Sequence, residues 1–377
     1  MLAIIIFIVI LGVLVFVHEL GHFVVARRNG IKAEEFGFGF PPRIFGFVKN
    51  EESGKYEWVF GNKDVQSKNT IYSVNWIPLG GFVKIKGENG TDENDVDSFS
   101  GKSAWSRIKV LAAGVIMNFV LAWALIAIVF MIGAPQTIDP ASSSDGAKIQ
   151  IAQIVADSPA EKAGIKVGDE ILPIQRNGEK TIEFSGIESV QEYVAEKAGE
   201  KISLQLKRGN ENLEVNLVPR KNAPEGEGPL GVALAQTEIV RYSFFSAIWE
   251  GFLTTLNLIA AIFVALVGII KSLFMGQGVG ADVAGPVGIA VLTKQVSAMG
   301  LVYILQFAAL ISINLGIINI LPIPALDGGR ILFVLIEKIK GSPVSQKVEQ
   351  AFHSIFFALL IILLILITFR DIGKFIK

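Results

Sequence analysis

Residues 2–26, LAIIIFIVILGVLVFVHELGHFVVA, limit what this chain can fold into more than any other stretch. At about 1.5 Å of rise per residue, a helix of that length crosses a hydrocarbon core of roughly 30 Å. Comparable apolar runs lie at 110–134, 301–321 and 351–369, so the pattern predicts a polytopic α-helical membrane protein with about four transmembrane helices. Composition agrees: 51% of the 377 residues are hydrophobic and only 18% charged, too apolar for an ordinary soluble chain. A net charge of -1 gives no basic excess for nucleic acid. With no cysteine, disulfides, thiolate nucleophiles and cysteine metal sites are excluded, and a metal must be held by His, Asp or Glu. The first run lacks a basic n-region and a small-residue cleavage site ahead of Arg27 and Arg28, and is expected to be a retained span.

Basic residues set the expected topology. Arg27, Arg28 and Lys32 follow the first span, and Lys102, Arg107 and Lys109 surround the start of the second, so residues 29–107 face the cytosol. The second span, within 108–134, then leads outward to a soluble insert at 136–225, bounded by the turn-rich TIDPASSSDG and RKNAPEGEG. Inside the insert, KIQIAQIV, DEILPIQRNG and KISLQLKRGNENLEVNLV read as strands with Asn-Gly and Gly-Asn turns, and SVQEYVAEKAG as a helix. The stretch DSPAEKAGIKVGDEILPIQRNG resembles a PDZ signature, which places an α+β PDZ domain on the extracytoplasmic side. Whether GPLGVAL, 228–234, belongs to it or to the membrane-associated region 226–300 is open. In the cytosolic region, EEFGFGFPPRIFGFVK and TIYSVNWIPLGGFVKIKGE read as strand pairs at a membrane face, with residues 50–70 as a polar excursion.

His18, Glu19 and His22 form H-E-x-x-H. On a helix the two histidines share one face and can bind one metal ion, while the glutamate beside them is placed to take a proton from a water polarised by zinc. Two of the chain's three histidines lie in this motif, inside a span where ionisable groups are costly and usually functional. The third ligand is Asp327 or His353. Asp327 lies in NILPIPALDGGR, a Pro- and Gly-rich break in a membrane segment, and non-helical backbone is tolerated there only against protein or water. Its depth also fits, because His18 lies toward the cytosolic side of its span. Asp327 is therefore expected in the site, with the third span covering 301–340 and the fourth 348–370. Had residues 244–274 crossed once, Asp327 would reach the wrong face, so that segment is expected to lie on or re-enter the membrane.

HELGH, AAGVIMN with Gly114 and Asn118, NLGIINILPIPALDGGR, PLGGFVKIKGE and GPVGIA together resemble the site-2 protease family of intramembrane zinc metalloproteases. The resemblance is specifically to its bacterial branch, typified by the regulator of sigma-E protease, in a single-PDZ form. The resemblance implies Zn2+ on His18, His22 and Asp327, with Glu19 as catalytic base. It also implies membrane-inserted β structure at FGFGFPP and PLGGFVKIKG, and a substrate-binding role for Asn314, Asn319, Pro322 and Pro324. Its substrates would be single-span membrane proteins such as anti-sigma factors or signal-peptide remnants, and its location the bacterial cytoplasmic (inner) membrane. The PDZ domain would take a peptide or polypeptide ligand.

A helical substrate hides its carbonyls in hydrogen bonds and must unwind before hydrolysis. The strand carrying Phe82, Val83, Lys84 and Ile85 is expected to receive the unwound segment by β-augmentation. The alternative is a non-catalytic PDZ membrane scaffold with a relict metal site, against which the intact Glu19 speaks.

Overall fold

The computed structural model describes residues 2–375, apart from 64, 66, 91–94, 138–146, 175–180, 210, 225, 277–284 and 343. The chain divides into two compact units, Met1–Ala127 with Ile248–Lys294 and Leu305–Lys377, and Ile128–Ala247 with Gln295–Ile304.

In chain order the elements are α1 (Leu2–Arg28), β1 (Ala33–Lys49), β2 (Tyr56–Phe60), β3 (Ile71–Ile85) and α2 (Ala104–Ile132). The insert follows as β4 (Ala134–Thr137), β5 (Lys148–Ile154), α3 (Pro159–Lys162), β6 (Glu170–Ile171), α4 (Ile187–Glu196), β7 (Ile202–Arg208), β8 (Glu211–Leu217) and β9 (Val232–Val240). Last come α5 (Phe244–Phe274), α6 (Pro286–Met299), α7 (Leu301–Ile320), α8 (Asp327–Lys340) and α9 (Gln346–Phe375).

Among the described residues, five helices rather than four are long and apolar enough to cross a membrane: Leu2–Arg28, Ala104–Ile132, Phe244–Ser272, Leu301–Ile320 and Lys347–Gly373. The additional one is α5, a single unbroken helix where a membrane-adherent or re-entrant segment was expected. The four other apolar runs are helical as expected. On α1 the burial pattern of a soluble helix is inverted, with Ile4, Ile5 and Val9 exposed while His18 and His22 are buried. Apolar side chains facing outward around a polar interior suit a lipid solvent.

In the first unit, α1 and α2 approach until no side chain fits between them. A Cβ on Gly21 would stand 2.5 Å from the Ala113 carbonyl oxygen. Ala26, Val110 and Leu111 pack beside that contact with Ile85 of β3 and Val334 of α8.

The three strands β2-β1-β3 form an antiparallel sheet in which β1 and β3 are long enough to pair twice. Phe36 is paired with Tyr72 on one side and Val83 on the other, and Tyr72 also pairs with Phe47. Among the described residues, 81–85 thus have a strand neighbour on one side only, and form an edge. Gly80 and Gly81 let that edge lie against Val15, Phe16 and Glu19 of α1. The stretch 50–70 is not purely an excursion, because β2 within it pairs with β1 from Phe45↔Phe60 to Lys49↔Tyr56.

The second unit holds an antiparallel sheet ordered β4-β9-β5-β6-β7-β8, closed by α4 over Ile151, Val190, Leu204 and Leu206. The β7–β8 hairpin and α4 fall where the pattern placed them. The expected strand DEILPIQRNG shrinks to Glu170–Ile171 plus one bridge, Ile174↔Ile182. Pro173 between them has no N–H to give a ladder. The Asn177-Gly178 turn, Asn210 of the Gly-Asn turn and most of TIDPASSSDG lie outside the described residues. Strand β9 joins GPLGVAL to the insert's sheet, which therefore extends beyond residue 225 to Val240.

Within β1, Arg43 donates from Nη2 to Glu35 Oε2 at 2.6 Å and from Nε to Oε1 at 2.9 Å. Burial pushes the Glu35 carboxyl up, but these bonds outweigh it and hold its pKa below the usual 4.5. A depressed carboxylate stabilises the fold above its unfolded pKa and loses that contribution as pH falls through the folded value. Limited proteolysis of residues 33–85 is therefore expected to rise in Arg43→Leu at neutral pH. In the unsubstituted chain it should rise only as pH falls below the usual glutamate value of 4.5.

Candidate metal centre and active site

Because α1 stays helical through Arg28, His18 and His22 fall one turn apart on its buried face, each 7% exposed. Each ring is held from α2. His22 Nδ1 lies 2.8 Å from the Val110 carbonyl oxygen, which only accepts, so Nδ1 carries a proton, and in the neutral imidazole Nε2 keeps the lone pair. His18 Nδ1 lies 3.1 Å from the Asn118 amide nitrogen, while Asn118 Oδ1 is buried with no partner. Turning that amide over satisfies Oδ1 with His18 Nδ1–H and frees His18 Nε2 in the same way. Between the two contacts sits Gly114. A Cβ there would stand 2.4 Å from His22 Nε2 and 2.7 Å from His18 Nε2. Val110, Gly114 and Asn118 are thus one helical stripe at spacing four, facing the two imidazoles.

The third member comes from the break between α7 and α8. Residues 321–326 are non-helical, Ala325 has φ 81°, and α8 starts at Asp327. Asp327 Oδ2 lies 3.1 Å from His18 Nε2 and 3.4 Å from His22 Nε2, and the two Nε2 atoms are 3.1 Å apart. Among the described residues these three form a group able to hold a metal ion, their ligand atoms all within 4.8 Å of one another. Oδ2 is buried yet makes no hydrogen bond.

The donor set fits zinc. Ligand atoms at ~2.0–2.1 Å from a tetrahedral ion stand ~3.3 Å apart, the spacing seen here. Three converging lone pairs repel unless a proton or a metal cation lies among them, and a divalent cation satisfies all three at once. Two ion pairs secure the helix that carries Asp327: Arg330 with Glu88 and Arg107 with Glu337.

His18, Glu19, His22 and Asp327 open on a cavity of about 190 Å³, lined also by Phe40, Phe82, Val83, Ile85 and Glu88. Lys84 turns to the other side of the strand, where it pairs with Glu34 at 2.7 Å. Asn314 is exposed and donates to the Leu310 carbonyl oxygen. Pro322 is exposed, Asn319 and Pro324 are half-buried, and none of these four lines the cavity. His353 lies apart from the cluster and accepts from the Ala325 N–H. Glu88 and the Val110 carbonyl were not expected in the site. The spacing of Val110, Gly114 and Asn118 was the available signal for the second.

The family model described as Peptidase family M50 matches residues 6–363. The chain is 31% identical, over an alignment spanning 450 positions, to the regulator of sigma-W protease RasP of Bacillus subtilis, covering 98% of this chain and 97% of that one. It is 28% identical, over an alignment spanning 453 positions, to the zinc metalloprotease RasP of Geobacillus kaustophilus, covering 99% and 98%. The chain belongs to Peptidase family M50 as an intramembrane zinc metalloprotease of the site-2 type, with Zn2+ as its cofactor.

Gly114→Ala pushes a methyl group into both imidazoles. It is expected to lower zinc affinity at least tenfold, by the scale of lost outer-shell support, measured as zinc retained against a competing chelator. Gly54→Ala, where nothing lies within 4 Å, should leave it unchanged.

Proposed function

We propose that His18, His22 and Asp327 are the zinc ligands and Glu19 the general base in hydrolysis of peptide bonds within transmembrane segments of single-span proteins. The 3.1, 3.1 and 3.4 Å triangle of ligand atoms carries this reading. When bound, zinc supplies Lewis acidity to a water and to the scissile carbonyl. The Glu19 carboxylate, in the same cavity, takes the proton of the attacking water and returns it to the leaving amine. Val110 and Asn118 fix which nitrogen of each imidazole faces the ion.

Unwound substrate pairs with the edge at 81–85, where Phe82, Val83 and Ile85 line the cavity and the Lys84 side chain pairs with Glu34. Asn314, Asn319, Pro322 and Pro324, at the end of α7 and the turn after it, belong to the substrate side by family pattern. The Bacillus relative is named as a regulator of sigma-W protease, which supports anti-sigma factors as one substrate type, beside signal-peptide remnants. The insert is a PDZ domain facing the extracytoplasmic side of the bacterial inner membrane, and it receives a peptide or polypeptide. Its six-stranded antiparallel sheet and two helices support that assignment.

The chain crosses the bilayer four times, with α5 against the outer face. Two contacts support this. The start of α5 docks on the outgoing end of α2, Gly251 against Ala127 and Trp123 Nε1 donating to the Ile248 carbonyl oxygen. At the other end of α5 comes α6, whose Gly288 N–H donates to Asp371, at the end of α9 remote from His353.

Glu19→Gln should keep zinc and lose about 10²–10⁴-fold in cleavage of a single-span reporter; undiminished cleavage would remove Glu19 from the base role. Val83→Pro or Ile85→Pro should cut turnover with zinc retained. Since the chain has no cysteine, single cysteines at Ser246 and Lys271 report topology directly. Both should react with an impermeant maleimide from outside, and a Lys271→Cys reactive only from the cytosol would make α5 a fifth crossing.

A further inference from the structure

We infer that His353 is a positioning residue for Asp327: its imidazole holds the turn that delivers the carboxylate to the metal, without joining the ligands. The inference rests on the ligand assignment above.

Ala325, two residues before Asp327, has φ 81°, a left-handed conformation that a residue with a Cβ adopts only when its surroundings impose it. Its N–H is also lost to helical bonding, because α7 has ended at Ile320 and α8 has not begun. The Ala325 N–H donates to His353 Nδ1 at 2.7 Å, which meets both demands with one bond. That bond fixes the ring as the form protonated on Nε2.

Nε2 is buried, makes no hydrogen bond, and faces Glu349 Oε1 at 3.7 Å. A polar cavity of about 280 Å³ lies there, shared by Glu88, Arg330, Glu349 and His353, and separate from the triangle of ligand atoms. Neither ring nitrogen is therefore available to the zinc. Phe333 of α8 packs on the ring with centroids 5.9 Å apart, so the imidazole grips the turn and the helix that follows it together. The next residues leave little latitude: a Cβ on Gly328 would stand 2.2 Å from the Ile320 carbonyl oxygen. A turn released at Ala325 re-aims Asp327 instead of being absorbed downstream.

Substitutions separate this role from simple packing. His353→Asn keeps an acceptor oxygen at the position of Nδ1, and His353→Phe keeps an aromatic ring but no acceptor. Ala325→Gly removes the left-handed penalty, so the turn no longer depends on the bond. Full-length protein in detergent is titrated with zinc against a chelator, and reporter turnover is measured in parallel, with His22→Ala as control. Expected are a roughly tenfold or greater weakening of zinc binding in His353→Phe, near-normal binding in His353→Asn, and recovery of most of the loss when Ala325→Gly is added to His353→Phe.

Zinc affinity and turnover unchanged in His353→Phe would overturn the inference. So would a defect that Ala325→Gly fails to relieve while His22→Ala behaves as a lost ligand, since that outcome makes His353 a packing residue. If His22→Ala binds zinc as tightly as the unsubstituted chain, the ligand assignment itself falls, and the inference with it.

Discussion

The contact between α1 and α2 at Gly21 and Gly114 is the constraint on which the rest depends. Two imidazoles in a lipid-facing helix are stable only if their polar atoms are satisfied by protein, and they reach partners only if the neighbouring backbone comes within hydrogen-bond distance. Without a Cβ at Gly114, α2 presents the Val110 carbonyl oxygen and the Asn118 amide directly to the two rings. Those partners leave both Nε2 atoms turned the same way, toward the one carboxylate from α8. Helix packing thus brings the proposed zinc ligands together.

The carboxylate comes from a different kind of element. Helices α7 and α8 are separated by six residues that belong to neither, and that break lets Asp327, the proposed third ligand, reach the two imidazoles. The cost is non-helical backbone next to an apolar helix, stabilised by local turns such as Leu326 N–H to the Ile323 carbonyl oxygen and by the His353 bond. The Arg330–Glu88 and Arg107–Glu337 pairs then tie α8 to the segment after β3 and to α2. One short piece of chain between Gly80 and Glu88 consequently serves both the cavity wall and the support of Asp327.

Much of this was legible in the sequence, for identifiable reasons. Helical spacing placed His18 and His22 on one face, and Pro and Gly in LPIPALDGG announced the break. Depth along the first span favoured Asp327 over His353, and the structure brings Asp327 to the two imidazoles. Less legible were contacts made by backbone atoms, such as the Val110 carbonyl, which leave no residue-type signature. The double pairing of β3 was hidden because alternation reports a strand but not which of two neighbours it meets. Hydropathy also could not distinguish α5 as a crossing from α5 as a surface helix, since an apolar helix of 31 residues satisfies both. Pro173 was visible in DEILPIQRNG, and the short β6 follows from its missing N–H.

Zinc-edge X-ray absorption on the full-length protein in detergent tests the ligand set most directly. With no cysteine and three histidines in the chain, imidazole scattering counts the ligands without ambiguity. The prediction is two imidazoles with the remaining ligands oxygen, at ~2.0–2.1 Å, and a spectrum unchanged by His353→Asn. Three imidazoles, or two that become one in His353→Asn, would contradict the assignment of Asp327 and return His353 to the metal.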